Sequence, residues 1–329
     1  MLKINNIKKT IESRLIIQNI SFSLEKGTVL AILGESGSGK TTLLKLIAGL
    51  LEPDLGELLL NDEPIIPPSQ KLIAGHPEIK LVRQDYGLFP NISLRENIAY
   101  ELRFYEAAYR NERIDKLLHI SKLAHIAHKL PREVSGGEQQ RAVIARAIAE
   151  QPQVLLLDEP FSHLDISNKQ RLKDEILNMV KEEQIACIFV THEVSDAFGM
   201  ADLLAVVQDG QITQYDTPEV VYSQPVSVYN ADITGKNNIL SGAWLKQYFA
   251  DYSKLDDKDI VCIRPEKIKI SNHLNTTNAT ILSSTFSGFY HEYLVEFATQ
   301  KLIVYALEKY EIGAKVNLHI KDYHCFERQ

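Results

Sequence analysis

The sequence predicts an α/β core on a parallel sheet, with an inserted helical subdomain, followed by a small OB-like β-barrel domain. Three observations carry this. Residues 1–230 alternate short apolar runs with helical patterns, residues 88–150 are rich in helix formers, and beyond about 235 apolar and polar residues alternate. The expected domains are 1–234, with the helical subdomain at about 88–150, and 235–329.

Val29–Leu33, Val154–Leu157 and Ile185–Val190 are apolar without alternation, so each reads as a strand covered on both faces. Leu172, Ile176 and Met179 recur at helical spacing and predict one buried stripe. Ser93 and Glu96 fit a capping box that opens a helix inside the insertion. In Tyr293–Phe297 the aromatics and Val295 share one face, and Val316, Leu318 and Ile320 alternate in the same way. The linker from Gln224-Pro225 to Gly235-Lys236-Asn237-Asn238 marks the expected change of domain.

Composition narrows the class. The 329 residues allow about two domains, and 45% hydrophobic with 24% charged is ordinary for a folded chain. Cys187, Cys262 and Cys325 lie far apart with no CxxC pair, which excludes a disulfide scaffold or cysteine zinc site and suits a reducing compartment. No apolar run approaches the roughly 18 residues of a membrane span, and Met1–Asn6 opens without a signal-peptide core. A cytoplasmic chain that meets membranes through partners is expected. The net charge of −7 offers no global basic field for nucleic acid, and none is expected as partner.

Gly34-Glu35-Ser36-Gly37-Ser38-Gly39-Lys40-Thr41 follows the first apolar strand and precedes a helical pattern, giving G-x-x-x-x-G-K-[ST] in the context it requires. Its glycines let backbone N–H groups face phosphate oxygens at a helix N-terminus. Lys40 is placed to reach the β and γ phosphates and Thr41 to offer a hydroxyl to Mg²⁺; Thr42 completes the loop. These residues predict nucleotide binding.

The strand Val154–Leu157 ends in Asp158-Glu159. Asp158 is expected to hold Mg²⁺ directly or through water. Glu159, pointing the other way along the pleat, is expected to orient or deprotonate an attacking water. Without the phosphate loop, the pair would read as an acidic helix cap.

Val134-Ser135-Gly136-Gly137-Glu138-Gln139-Gln140-Arg141 resembles the signature of ATP-binding-cassette (ABC) ATPases, although that signature usually begins with Leu. Ser135 can cap a helix whose first amides, at Gly136 and Gly137, face an anion. The resemblance implies a P-loop NTPase fold in which Ser135, Gly136, Gly137 and Glu138 serve, in trans, the γ-phosphate held by a second copy. It further implies that Gln84 is the Q-loop glutamine contacting Mg²⁺ and water, Asp165 the D-loop aspartate, and His192 the switch histidine contacting the γ-phosphate. His163 stands where Ala is commoner. Alone, Gln84 reads as solvated surface, Asp165 as an N-cap and His192 as structural.

The family usually stacks adenine on an aromatic residue whose place here falls near Ile11. An aliphatic side chain packs against a base but forgoes about 1 kcal/mol of π interaction. ATP and GTP should therefore bind within about tenfold of each other. A titration giving about a hundredfold preference for ATP would refute this.

Ile263-Arg264-Pro265-Glu266 and Lys267–Ile270, after Gly235–Asn238, resemble the transport-associated OB-type domain of bacterial importers for ferric iron, polyamines, sugars, sulfate and molybdate. Such a domain is either a structural support for the dimer or a regulatory or anion-binding element.

The resemblances together imply an ATP-hydrolysing subunit of an ABC importer. It would use ATP and Mg²⁺, pair with itself around two nucleotides, and dock on integral membrane permease subunits fed by a solute-binding protein. Its place would be the cytoplasmic face of the membrane. Leu88 or Phe89 would be exposed anchors for the permease. A P-loop kinase or GTPase would explain Gly34–Thr41 but not Val134–Arg141 or His192. A cassette ATPase acting on ribosomes or nucleic acid shares the motifs but usually carries two cassettes or long insertions. Residues 236–329 carry 12 Lys plus Arg against 11 Asp plus Glu, and the first 235 carry 24 against 32. Attraction for a polyanionic nucleotide must accordingly be local, from Lys40, Mg²⁺ and backbone amides.

Overall fold

Strands that are apolar on both faces need cover on both sides, and this sets the core of the first unit. The computed structural model describes residues 1–83, 87–162, 166–271 and 279–326. They form two compact units, Met1–Glu219 and Val220–Gln329.

The first unit opens with β1 (Leu2–Ile11), β2 (Arg14–Leu24), β3 (Val29–Leu33) and α1 (Lys40–Ile47), followed by β4 (Leu55–Leu60), β5 (Glu63–Pro64) and β6 (Ile79–Val82). A helical stretch follows, with α2 (Leu94–Ala99), α3 (Ala107–Ile120) and α4 (Gly136–Ala147). The core then resumes with β7 (Val154–Asp158), α5 (Ile166–Glu183), β8 (Ala186–Thr191), α6 (Val194–Ala197), β9 (Leu203–Gln208) and β10 (Gln211–Asp216).

One sheet has the order β10-β9-β3-β8-β7-β6, parallel throughout except for β10 against β9. Every residue of β3 and β8 is buried. A second, antiparallel sheet, β2-β1-β4-β5, is not anticipated by reading the first 230 residues as alternating α/β units. Its signal is Ile20, Phe22 and Leu24 alternating with Ser21 and Ser23. Helix α1 places Leu43, Leu44, Leu46 and Ile47 in a core shared with side chains of both sheets. Each such burial is worth roughly 1.5–3 kcal/mol.

The β9–β10 turn meets β2 through Gly210, whose carbonyl accepts from the Gln18 amide at 2.8 Å. Gly210 has φ +77°, and a Cβ there would overlap the Ile16 carbonyl oxygen. Left-handed backbone strain alone costs about 1–3 kcal/mol, and backbone cannot yield as a flexible side chain does. Gly210→Ala should destabilise the first unit by at least about 2 kcal/mol, read as a lower thermal unfolding midpoint.

The expected insertion carries helices and no strand among its described residues. Ser93 and Glu96 form the expected capping box. Arg113 locks the layer down: it donates to the Ile148 and Ala149 carbonyls and pairs with Glu183 at 2.8 Å. Arg141 of α4 reaches Glu175 of α5 at 3.2 Å, and Glu175 is fully buried. Leu172, Ile176 and Met179 are buried as their spacing predicts.

The second unit begins within α7 (Pro218–Ser223) and continues with α8 (Val228–Thr234), β11 (Asn238–Ser241), α9 (Gly242–Tyr248) and β12 (Ile260–Ile263). Then come β13 (Ile268–Ser271), β14 (Ala279–Phe286), β15 (His291–Phe297), β16 (Gln300–Ala306), β17 (Lys315–Ile320) and β18 (His324–Phe326). They form antiparallel sheets β11-β12-β18 and β13-β17-β14-β15-β16. Strand β13 also packs against β16, so the five-stranded sheet curls on itself as in a small OB-like barrel. Tyr293, Val295 and Phe297 face inward with Trp244, Val261 and Leu318. The units divide earlier than the expected 234/235 boundary. The reason is Arg264, which donates to Ala231 O at 2.8 Å, Tyr222 O at 3.0 Å and Thr234 Oγ1 at 2.8 Å, holding 222–234 with the β-strands.

Candidate active site

Parallel pairing brings strand ends together without any sequence proximity. Leu33 is in register with Thr191, and Asp158 with Val190. The residues after β3, β7 and β8 therefore share one edge of the sheet, the carboxyl edge where α/β folds take ligands. Gly34–Lys40, Asp158–Glu159 and His192 meet there.

The phosphate loop is closed from inside. Lys40 is buried, and its ammonium donates to the Gly34 and Glu35 carbonyls, both at 2.8 Å. An ammonium has three protons, so one remains for a ligand. Gly34 must be glycine, since a Cβ would meet Ser38 Oγ and the Val207 carbonyl at 2.6 Å. Gly39 caps α1 in the left-handed region with no side-chain acceptor, so the first amides of α1 stay directed at the loop's concavity. The Ser38 hydroxyl is buried and has no protein partner, an unsatisfied group beside the loop. Glu35, Ser36 and Gly37 are exposed at the loop's rim, and Thr41 and Thr42 lie on the first turn of α1.

Thr41 Oγ1 donates to Asp158 Oδ1 at 3.2 Å. This hydroxyl–carboxylate pair is a set of hard oxygen donors, the kind Mg²⁺ takes alongside substrate phosphates. The site therefore fits that ion. Burial raises the Asp158 carboxyl above its ordinary value; the Thr41 hydrogen bond opposes this and the Glu159 charge adds to it. Burial lowers the Lys40 ammonium, opposed by the charges of Glu159, Asp158 and Glu35.

The raised Asp158 has a sign for stability. The native group holds its proton more tightly than the unfolded chain does, so its contribution falls as pH rises above the ordinary Asp range. In the absence of nucleotide, Asp158→Asn should be more stable than the parent chain at pH 7, with the gap closing towards pH 4. Thermal unfolding across that range checks it; a gap that widens on acidification would count against it.

Glu159 is not placed by strand alternation, contrary to the pleat reading. Strand β7 ends at Asp158, and Glu159 takes a left-handed φ of 47°. The Ser162 hydroxyl donates to the Glu159 carbonyl at 2.9 Å and fixes this turn. The turn brings Glu159 Oε1 to 3.4 Å from His192 Nδ1. A carboxylate and an imidazole thus share one open wall of the site.

His192 has support that motif reading missed. Thr191 Oγ1 donates to Asp196 Oδ2 at 3.1 Å and accepts from the Glu193 amide at 3.0 Å. Buried Lys173 donates to the Ser195 carbonyl at 2.7 Å and pairs with Asp196 at 3.2 Å, as does Lys169. Lys169 also pairs with Glu193 at 2.7 Å. The Lys169–Lys173 spacing on one face of α5 was the available signal.

Ser135 and Glu138 form a reciprocal cap: Ser135 Oγ accepts from the Glu138 amide, and the Ser135 amide donates to the Glu138 carboxylate at 2.8 Å. Those hydrogen bonds hold the Glu138 carboxyl below its usual range. Glu138 is thus engaged as a cap, and the amides of Gly136 and Gly137, outside that cap, are what an anion would meet. Among the described residues, no hydrogen bond or ion pair joins Ser135–Glu138 to the phosphate loop. Ile11 ends β1 and is exposed, as is Phe89; Leu88 is half-buried. Gln84 and Asp165 lie outside the described residues.

Residues 17–162 match the ABC transporter family, and residues 261–326 match the TOBE domain. The spermidine/putrescine import ATP-binding protein PotA of Thermotoga maritima is 35% identical, over 82% of this chain and 77% of that protein. The protein of the same name from Fusobacterium nucleatum is 33% identical, over 93% of this chain and 88% of that protein. Among solved structures, cbiO1 from Clostridium perfringens superposes with a TM-score of 0.62 at 25% identity, covering 68% of this chain and 90% of that one. The dimeric ATP-binding cassette MJ0796, bound to ADP and Pi in a post-hydrolysis state, gives 0.56 at 26% identity, covering 66% and 98%.

Proposed function

Because the chain belongs to the ABC transporter family, with a TOBE domain at its C-terminal end, we propose that it is the ATP-hydrolysing, energy-coupling subunit of a bacterial importer for a small solute. The observation that carries this is the meeting of Lys40, Thr41, Asp158, Glu159 and His192 at one sheet edge.

Lys40 and the first amides of α1 bind the β and γ phosphates. Thr41, Asp158 and, by the family resemblance, Gln84 would hold Mg²⁺, which when bound would draw charge from the phosphate oxygens. Glu159 orients the attacking water and takes its proton, held beside His192 at 3.4 Å. His192 and Lys40 stabilise charge developing on the γ-phosphate. Ile11 packs against the base. A second copy offers Gly136 and Gly137 amides, capped by Ser135 and Glu138, across the nucleotide, and Asp165 serves as the D-loop aspartate. Both copies together make two complete sites.

The relatives' names favour an organic polycation such as spermidine or putrescine as cargo, ahead of ferric iron, an oxyanion or a sugar. Permease subunits would dock near Gln84 and the exposed Phe89. The chain would work at the cytoplasmic membrane face, with a solute-binding protein outside.

Purification in detergent with the membrane subunits, followed by assay of Mg²⁺-dependent ATP hydrolysis, tests this. Expected are integral membrane partners and release of inorganic phosphate. Co-purification with nucleic acid or ribosomes, or a phosphorylated small-molecule product, would overturn it.

A further inference from the structure

The second unit holds a cavity of about 350 Å³ that nothing in the nucleotide chemistry uses. Its walls are four aromatic rings, Tyr222, Phe289, Tyr290 and Tyr305, with Ala306, Leu307 and one carboxylate, Glu266. Tyr290 and Tyr305 lie 4.4 Å apart between centroids, and Phe289 stands nearly edge-on to Tyr290 at 4.9 Å, so the rings form a corner. Phe289 is 82% exposed and Leu307, on the rim, is 72% exposed. A large apolar group left in water costs free energy that a ligand would recover.

The electrostatics choose the ligand's sign. Ring faces carry negative quadrupole density, and Glu266 adds a full negative charge. The Tyr222 hydroxyl donates to Glu266 Oε1 at 2.7 Å, which holds that carboxylate against the rings. Among the described residues, Arg264, Asp232, Lys236 and Glu292 lie nearby, and none of them lines the cavity. Arg264 is buried against Tyr222, 4.1 Å from its centroid, and is committed to three oxygens; it shows that this ring already receives a cation. Lys236 and Glu292 pair with each other at 2.7 Å. Burial chiefly raises the Tyr222 hydroxyl; the Glu266 hydrogen bond and charge add to this and the Arg264 charge opposes it. Arg264 offsets part of the Glu266 charge from behind Tyr222, but within the lining Glu266 is the one full charge, so the open side of the pocket favours a cation over an anion.

We propose that this cavity binds an organic ammonium ion, its alkyl groups enclosed by Tyr222, Phe289, Tyr290 and Tyr305 and its charge balanced by Glu266. The volume suits an ion of the size of choline or a short alkylamine. The site lies wholly within the β-unit, so it stands independently of the hydrolytic reading above.

The test titrates choline, and its uncharged isostere 3,3-dimethylbutan-1-ol, into the full chain by calorimetry. Choline should bind saturably, and the alcohol at least about tenfold more weakly. Glu266→Gln, which keeps an acceptor for the Tyr222 hydroxyl, should weaken choline binding about fivefold or more. Phe289→Ala, at a ring too exposed to support the fold, should weaken it by a similar factor. Both variants should keep the parent rate of ATP hydrolysis, separating this site from the cassette. Absence of saturable choline binding, equal affinity for the alcohol, or parent affinity in both variants would overturn the proposal.

Discussion

Glu159→Gln should lower ATP hydrolysis by about 10²–10⁴-fold while nucleotide still binds. Glutamine keeps the size of the side chain and its place beside His192, 3.4 Å away in the parent chain, but loses the carboxylate proposed to take the water's proton. The phosphate grip is untouched, since it rests on Lys40, the loop glycines and the first amides of α1. Losing the Glu159 charge also removes the largest of the three influences that hold the Lys40 proton against burial, yet Asp158 and Glu35 remain to oppose burial there. Binding should thus change far less than turnover. Nucleotide titration, phosphate release and size measurement with ATP check this together. A paired species that accumulates with ATP and persists is the expected third result. Turnover within about threefold of the parent would remove Glu159 from this role.

Asp196→Ala should be severely damaging although Asp196 does not touch nucleotide. Asp196 and Lys173 both have side chains 5% exposed, and truncation leaves the Lys173 ammonium buried beside one remaining carbonyl. Breaking a buried pair from one side costs about 3–5 kcal/mol. For a unit of this size that is a fall of roughly 6–20 °C in unfolding midpoint. The turn that presents His192 also loses the Thr191 hydrogen bond, so hydrolysis should fall further than the loss of folded protein explains. Asp196→Asn retains an acceptor for Thr191 but not the charge, and should recover hydrolysis per folded molecule better than stability. A midpoint within about 2 °C of the parent for Asp196→Ala would show that Lys169 and Lys173 are satisfied without it.

Much of the site is local, and such features are legible along a sequence. Gly34–Thr41 is a strand, a loop and a helix start in one continuous run, and each glycine answers to backbone geometry a few residues away. Ser93 with Glu96, and Ser135 with Glu138, close their caps over three residues. Apolar runs such as Val29–Leu33 read as covered strands because a solvated face would alternate. Other features are not local. Glu159 leaves β7 in a left-handed turn held by Ser162, so strand alternation gives the wrong account of its direction. The antiparallel sheet of β1, β2, β4 and β5 pairs segments separated by a complete strand, loop and helix. Helix α9 sits where a β-barrel reading anticipates only strands.

The sequence by itself determined the parts: a phosphate loop, two carboxylates after a buried strand, a capped signature helix and a C-terminal stretch with period-two strands. These follow from short-range sterics and from which faces must leave water. Tertiary structure alone decided which parts meet. Parallel register set β7 and β8 side by side, bringing Glu159 to His192. Arg264 drew 222–234 to the β-unit, and the packing of β16 beside the Phe289–Tyr290 turn gathered four rings about Glu266. Contacts between distant segments are chosen by the free energy of burying and pairing them together, a quantity that belongs to the folded chain and to no segment of it.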